Sequence, residues 1–128
     1  TMVIDFILQT QGDSLYNALR TWQQKSIGKA VSDYSYHMAV TDFNEKTAAE
    51  VVEMIEKEGI TSFKTFMAYK GALMIDDGQM VQLMQIVKKH GGMVTVHATN
   101  GDMIDSLIAQ NRAPATVRPF TTTCRSRK

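Results

Sequence analysis

Apolar positions along this chain fall into two alternating rhythms. Met2 to Leu8 is a short, mostly apolar run rich in β-branched residues, which predicts a buried strand. From Ser14 to Lys25 the rhythm becomes helical, with Leu15, Ala18, Leu19 and Trp22 on one stripe and Ser14 placed to cap it. Ala30 to Val40 is extended again. Asp42 and Glu45 then stand at capping-box spacing before a helix whose stripe includes Ala48, Val51, Val52 and Ile55, and Gly59 closes it. Ile60 to Met67 predicts a third strand. Asp76 and Asp77 open a third helix with Met80, Leu83, Met84 and Val87 on one face, Lys88 and Lys89 in its last turn, and Gly91 after it. Met93 to Ala98 reads as a fourth strand and Asn100 to Gln110 as a fourth helix.

The order is thus strand then helix, four times over. Short apolar strands separated by amphipathic helices predict an α/β protein, with helices packed on a parallel sheet. Four units are too few to close an eight-stranded barrel. They can make an open doubly wound sheet or half of a barrel, and the pattern alone leaves both open. No glycine-rich loop follows any strand, which argues against a nucleotide-binding fold.

Composition narrows the function classes. The 128 residues are 44% hydrophobic and 21% charged, as in ordinary globular proteins, and a net charge of +1 gives no global case for nucleic-acid binding. No apolar run reaches the roughly 18–20 residues that cross a membrane. The start of the chain, Met2 to Phe6, is short and interrupted by Asp5, so it does not read as a signal peptide. A single cysteine, Cys124, fits a reducing, cytoplasmic setting. Charge divides the chain at about residue 111. Every acid lies before that point, whereas Arg112, Arg118, Arg125, Arg127 and Lys128 follow it. Residues 112–128 are therefore expected to be a basic tail, disordered or non-native, behind a domain at 1–111.

Functional groups of α/β proteins sit at the carboxyl ends of strands, and two of the strands here carry unusual residues. Lys64 stands between Phe63 and Phe66 in Ser62-Phe63-Lys64-Thr65-Phe66-Met67-Ala68-Tyr69-Lys70. A lysine in a buried strand must be neutral, paired or modified, unless it snorkels to an exposed end. His97 ends the alternation Val94-Thr95-Val96-His97-Ala98. A lone histidine there is as compatible with a structural hydrogen bond as with a metal. His37 invites the structural reading, and His90 sits at a helix end where dipole and solvent account for it. The nine methionines fall mostly at core positions, where methionine is filler.

Three stretches carry a resemblance in order and spacing. These are Asp33-Tyr34-Ser35-Tyr36-His37, the run from Ser62 to Gly71, and Val96-His97-Ala98-Thr99-Asn100-Gly101-Asp102. Together with the opening Thr1 to Phe6, they make the chain similar to dihydropyrimidinases and D-hydantoinases over about residues 1–110. The resemblance implies a metal-dependent amidohydrolase on a (β/α)8 barrel, of which this chain holds strands two to five. It implies that Lys64 is N-carboxylated and bridges two divalent metal ions, zinc, and that His97 ligates one of them. Tyr69 would hydrogen-bond the oxygen that gains charge as the ring opens, and Phe66 would line the pocket mouth. The implied substrate is a small cyclic amide such as a dihydropyrimidine or hydantoin, and the implied full-length assembly is a homotetramer. Carbamate formation requires a neutral amine, which burial favours, and a phenol beside the carbonyl oxygen adds stabilisation there.

The family's remaining ligands, a His-x-His pair, a third histidine and an aspartate, would lie before Thr1 and beyond residue 128. Thr99 stands where relatives commonly have glutamate, which bears on a contact behind the metal. An isolated piece lacking those ligands is expected to be inactive. Two alternatives remain: a truncated inactive product, or a non-catalytic scaffold relative acting through assembly. Such scaffolds lack a lysine at the position of Lys64, which favours catalytic ancestry.

Overall fold

The computed structural model describes residues 1–111, in the order β1 (Met2–Leu8), α1 (Leu15–Ser26), β2 (Asp33–Ala39), α2 (Glu45–Glu56), β3 (Ser62–Phe66), α3 (Asp77–Lys89), β4 (Met93–His97) and α4 (Gly101–Asn111). The basic tail expected at 112–128 lies outside the described residues.

Local chemistry explains the helix starts. Ser14 Oγ accepts from the Tyr16 amide, as the sequence predicts for a cap. The same end of α1 also receives help from α2. Glu50, buried there, accepts from the Leu15 amide at 2.8 Å and from Ser14 Oγ at 2.7 Å, so one carboxylate satisfies two donors at the α1 terminus. At α3, Asp76 and Gln79 form a full capping box. The cap expected for α2 is corrected. Asn44, not Asp42, caps it by accepting from the Thr47 amide at 3.0 Å. Asp42 instead takes the Gly12 amide at 3.0 Å, tying the loop after β2 to the loop after β1.

The four strands form one parallel sheet in the order β1-β2-β3-β4. Strand order rises without reversal, so the described residues contain no switch point of the doubly wound kind. The register aligns Ile7, Met38, Phe63 and Val94 in one row across the sheet. The first three are fully buried, and Val94 packs against them. This row meets Leu15 and Leu19 of α1, Val51 and Met54 of α2, and Leu83 and Val87 of α3 in a single core. All three helices therefore cover the same face.

Side chains alternate along a strand, so the next row, Leu8, Ala39, Lys64 and Thr95, faces the other way. Among the described residues that face has no helix on it, and β1 is an edge of the sheet they form. The expectation of a buried first strand is thereby corrected: Met2 is 60% exposed and only Ile7 of β1 is buried. Met84 is likewise 37% exposed, because the stripe of α3 that meets the sheet runs through Met80, Leu83 and Val87 and leaves Met84 at its margin.

Two features fix the carboxyl ends of the strands. Gln9 and Thr41, both buried, exchange hydrogen bonds between the ends of β1 and β2: Gln9 Oε1 accepts from the Thr41 amide and Thr41 Oγ1 donates to the Gln9 carbonyl. At the other side, Gly101 donates to the Met67 carbonyl at 3.1 Å. A Cβ at Gly101 would come within 3.0 Å of that same oxygen, so glycine permits the close seating of α4 on the end of β3.

Thr65 lies in the helix-side core with its hydroxyl unpartnered. Valine keeps the shape and removes the unsatisfied group. Thr65→Val is expected to stabilise the fold by about 1 kcal/mol, read as a rise in the denaturant midpoint at constant m-value.

Candidate functional site

The uncovered face of β3 and β4 brings together the residues singled out from sequence. Lys64 is paired in register with Thr95, and Phe66 with His97, so all four share that face. Strand rise and spacing put the Cα atoms of Lys64 and His97 about 8 Å apart. Lys64 is half-buried rather than buried, because Phe63 beside it points into the helix-side core and only Phe66 shares its face. The lysine Nζ lies 5.6 Å from the Phe66 ring centre, and among the described residues its side chain makes no ion pair or hydrogen bond.

Phe66, Tyr69 and His97 form a triangle of rings. Centroids are 6.2 Å apart for Phe66 and Tyr69, 5.7 Å for Phe66 and His97, and 5.8 Å for Tyr69 and His97. Tyr69 reaches this position through a left-handed backbone, φ 66°, and is the one non-glycine residue with positive φ among those described. The turn it makes lets its carbonyl accept from the amides of Ala72 and Leu73 at 3.1 and 3.0 Å. Strain of this kind costs of order 1 kcal/mol, so Tyr69→Gly is expected to stabilise the fold by about that amount while removing the phenol. Thermal unfolding of the variant checks the first half, and Tyr69→Phe, which keeps the strain, serves as the control.

Tyr69 and His97 line a cleft of about 400 Å³ with Thr99, Lys70 and Ile104. Lys64 and Phe66 stand beside it and do not line it. His97 Nε2 and Thr99 Oγ1 are 2.9 Å apart, so the threonine holds the imidazole from one side. On the rim, Lys70 pairs with Asp102, linking the loop after β3 to the start of α4. The Asp102 carboxylate raises the Lys70 pKa, through the hydrogen bond first and charge second. A groove of about 550 Å³ between α2 and α3, lined by Phe43, Ala48, Gln79 and Ile86, holds none of the candidate residues.

The other histidines have structural partners. His37 Nδ1 is 2.5 Å from Ser62 Oγ, and its ring lies against Phe6 with centroids 5.0 Å apart. His90 pairs with Glu56 at the end of α3. Both agree with the structural reading of these residues. Sequence reading missed the partners themselves, because Phe6 and Ser62 become neighbours of His37 only through strand register.

Among the described residues no three His, Cys, Asp or Glu side chains gather as a metal cluster. Lys64 and His97 lie on one face, on adjacent strands, as two donors of a larger set would. They fit part of a metal centre and do not complete one.

No family model matches the chain. It is 45% identical to the D-hydantoinase of Geobacillus stearothermophilus over 107 residues, 84% of this chain and 23% of that protein. It is 41% identical to the dihydropyrimidinase of Rattus norvegicus over 104 residues, 81% of this chain and 20% of that protein. The fold superimposes on the crystal structure of dihydropyrimidinase from Brevibacillus agri with a TM-score of 0.81 at 44% identity, covering 86% of this chain and 24% of that one. The chain therefore spans about a quarter of the length of the relatives it matches. No helix among the described residues is long and apolar enough to cross a membrane.

Proposed function

As a relative of the D-hydantoinases and dihydropyrimidinases, the chain is, we propose, strands two to five of a (β/α)8 barrel in a hydrolase that opens cyclic amides at a carbon–nitrogen bond. The rising strand order and the helix-free face of a parallel sheet support the barrel, since such sheets are ordinarily covered on both faces. The observation that carries the chemistry is Lys64 and His97 on that one face, ringed by Phe66 and Tyr69.

In this reading the neutral Lys64 amine adds to CO2, forming a nitrogen–carbon bond and releasing a proton to solvent. The resulting carbamate and His97 would hold two divalent metal ions, zinc, together with ligands supplied outside these residues. When bound, that pair supplies Lewis-acid activation of water and of the amide carbonyl. Tyr69 offers its phenol to the oxygen that gains charge. Phe66 walls the site beside the lysine, its ring centre 5.6 Å from Nζ. Thr99 fixes the orientation of the His97 ring, as partners behind a ligand do. The substrate is a small ring of the dihydropyrimidine or hydantoin class, and the whole enzyme is a cytoplasmic homotetramer.

The test is ring opening of dihydrouracil and hydantoin, with zinc and bicarbonate added, by the 128-residue chain and by a full-length protein carrying it. Turnover by the long protein alone is the expected result. Robust metal-dependent turnover by the short chain would show that the two donors and the phenol suffice, and the partial-site reading would be wrong.

A further inference from the structure

Tyr69 sits on a turn that is fastened to one neighbouring segment on both sides. Before it, Met67 uses both of its backbone groups on the loop after β4. Its amide donates to the His97 carbonyl at 3.0 Å, and its carbonyl accepts from the Gly101 amide at 3.1 Å. A Cβ at Gly101 would come within 3.2 Å of Ala68 Cα, so the two segments touch just before the tyrosine. After it, Lys70 Nζ donates to Asp102 Oδ1. Between these attachments Tyr69 holds φ 66°, a conformation that a residue with a side chain keeps only where its surroundings impose it. The amides of Ala72, Leu73 and Met74 converge on its carbonyl at 3.1, 3.0 and 3.3 Å and fold the turn beyond. The anchoring segment, residues 97–102, is also the one that carries His97, whose ring lies 5.8 Å from that of Tyr69. Stability does not account for the ion pair. Its side chains are 48% and 73% exposed among the described residues, and pairs open to solvent add little to folding. What the pair fixes is the direction in which the chain leaves Tyr69.

We propose that Lys70 and Asp102 are positioning residues, whose ion pair locks the Tyr69 turn to the His97 loop and holds the phenol where charge forms on the opening ring. The catalytic consequence rests on the cyclic-amide reading of the site; the geometric one does not. With the pair broken, the left-handed residue relaxes toward ordinary backbone and carries its ring away from His97. A phenol that meets the oxygen as charge develops stabilises the transition state more than the bound ring. Loosening it therefore lowers kcat and leaves KM nearly as it was. Lys70 also lines the cleft, so direct contact with substrate is the rival role. That role would make the loss depend on Lys70 alone and not on Tyr69.

The test uses a full-length protein carrying this chain. Lys70→Met and Asp102→Asn should each lower kcat for dihydrouracil by about 10–100-fold, as a misplacement of about 1 Å does. KM and the thermal midpoint should stay nearly unchanged. Lys70→Arg, which keeps the charge and the reach, should retain most of the parent rate. The double variant should be no slower than either single one, and neither change should slow Tyr69→Phe further. A second readout needs no turnover. With ¹³C-labelled tyrosine, the ring resonance missing from Tyr69→Phe should be displaced by the Phe66 and His97 rings, and should return toward the solvent-exposed position in Lys70→Met. A resonance that does not move overturns the proposal whatever the rates. So do losses that add in the double variant, a further loss on Tyr69→Phe, or a fall in the thermal midpoint that matches the fall in rate. A resonance that moves as expected in a protein that opens no ring supports the ion-pair lock and contradicts the cyclic-amide reading alone.

Discussion

Lys64→Ala in a full-length protein carrying this chain is expected to lower metal-dependent ring opening by more than about 100-fold, since even groups behind a metal ligand typically account for 10–100-fold. The expectation rests on what only this side chain offers. It is a primary amine on the helix-free face, half-buried, beside an aromatic ring and without a carboxylate partner among the described residues. In the proposed reading this amine adds CO2, and the carbamate would offer its oxygens to two cations. Alanine removes the bridge. Lys64→Arg should be equally inactive, because a guanidinium keeps its charge and forms no carbamate. Neither change should move the thermal midpoint of the metal-free protein much, as among the described residues the side chain has no hydrogen bond to lose. Turnover by Lys64→Arg at a substantial fraction of the parent rate would mean that positive charge, not carbamate formation, is what the site uses.

Phe63→Ala should have the largest effect on stability, about 3–5 kcal/mol. Phe63 is one residue from Lys64 but faces the helices, fully buried in the row with Ile7, Met38 and Val94. Removing its ring leaves a cavity bordered by strands on both sides, which cannot collapse without breaking the sheet register. Whole domains are stable by only about 5–15 kcal/mol, so much of the margin disappears. Phe66→Ala, on the open face, should cost far less. Urea denaturation of the two variants of the 128-residue chain checks the contrast, and equal losses would mean that the two faces of β3 have been assigned the wrong way round.

The sequence made the element order and most helix starts legible because those signals are local. Ser14, Asp76 and Gly91 act within a turn of their own positions, and they cap or end the helices as their residue types predict. The α2 start was misread because Asp42 and Asn44 are both good caps, and only the long-range bond from Gly12 to Asp42 separates them. Burial of β1 was misjudged for a different reason. An apolar run reports what a strand was selected to touch, and the described residues contain nothing over that face. Lys64 stood out as a charge in an apolar strand, but the pleat decides its neighbours: Phe63 belongs to the opposite face and Phe66 to its own. The nearness of Lys64 to His97 needed the register of β3 on β4, which no local pattern encodes. The ring triangle likewise depends on the left-handed backbone of Tyr69, a conformation its residue type does not advertise.

The most direct test of the central claim is carbon-13 NMR of a full-length protein carrying this chain, prepared with zinc and ¹³C-bicarbonate. The account predicts a protein-bound carbamate resonance that requires the metal, vanishes in Lys64→Ala, and rises with ring-opening activity as bicarbonate is added. An active protein without that resonance, or a resonance that persists in Lys64→Ala, would contradict it.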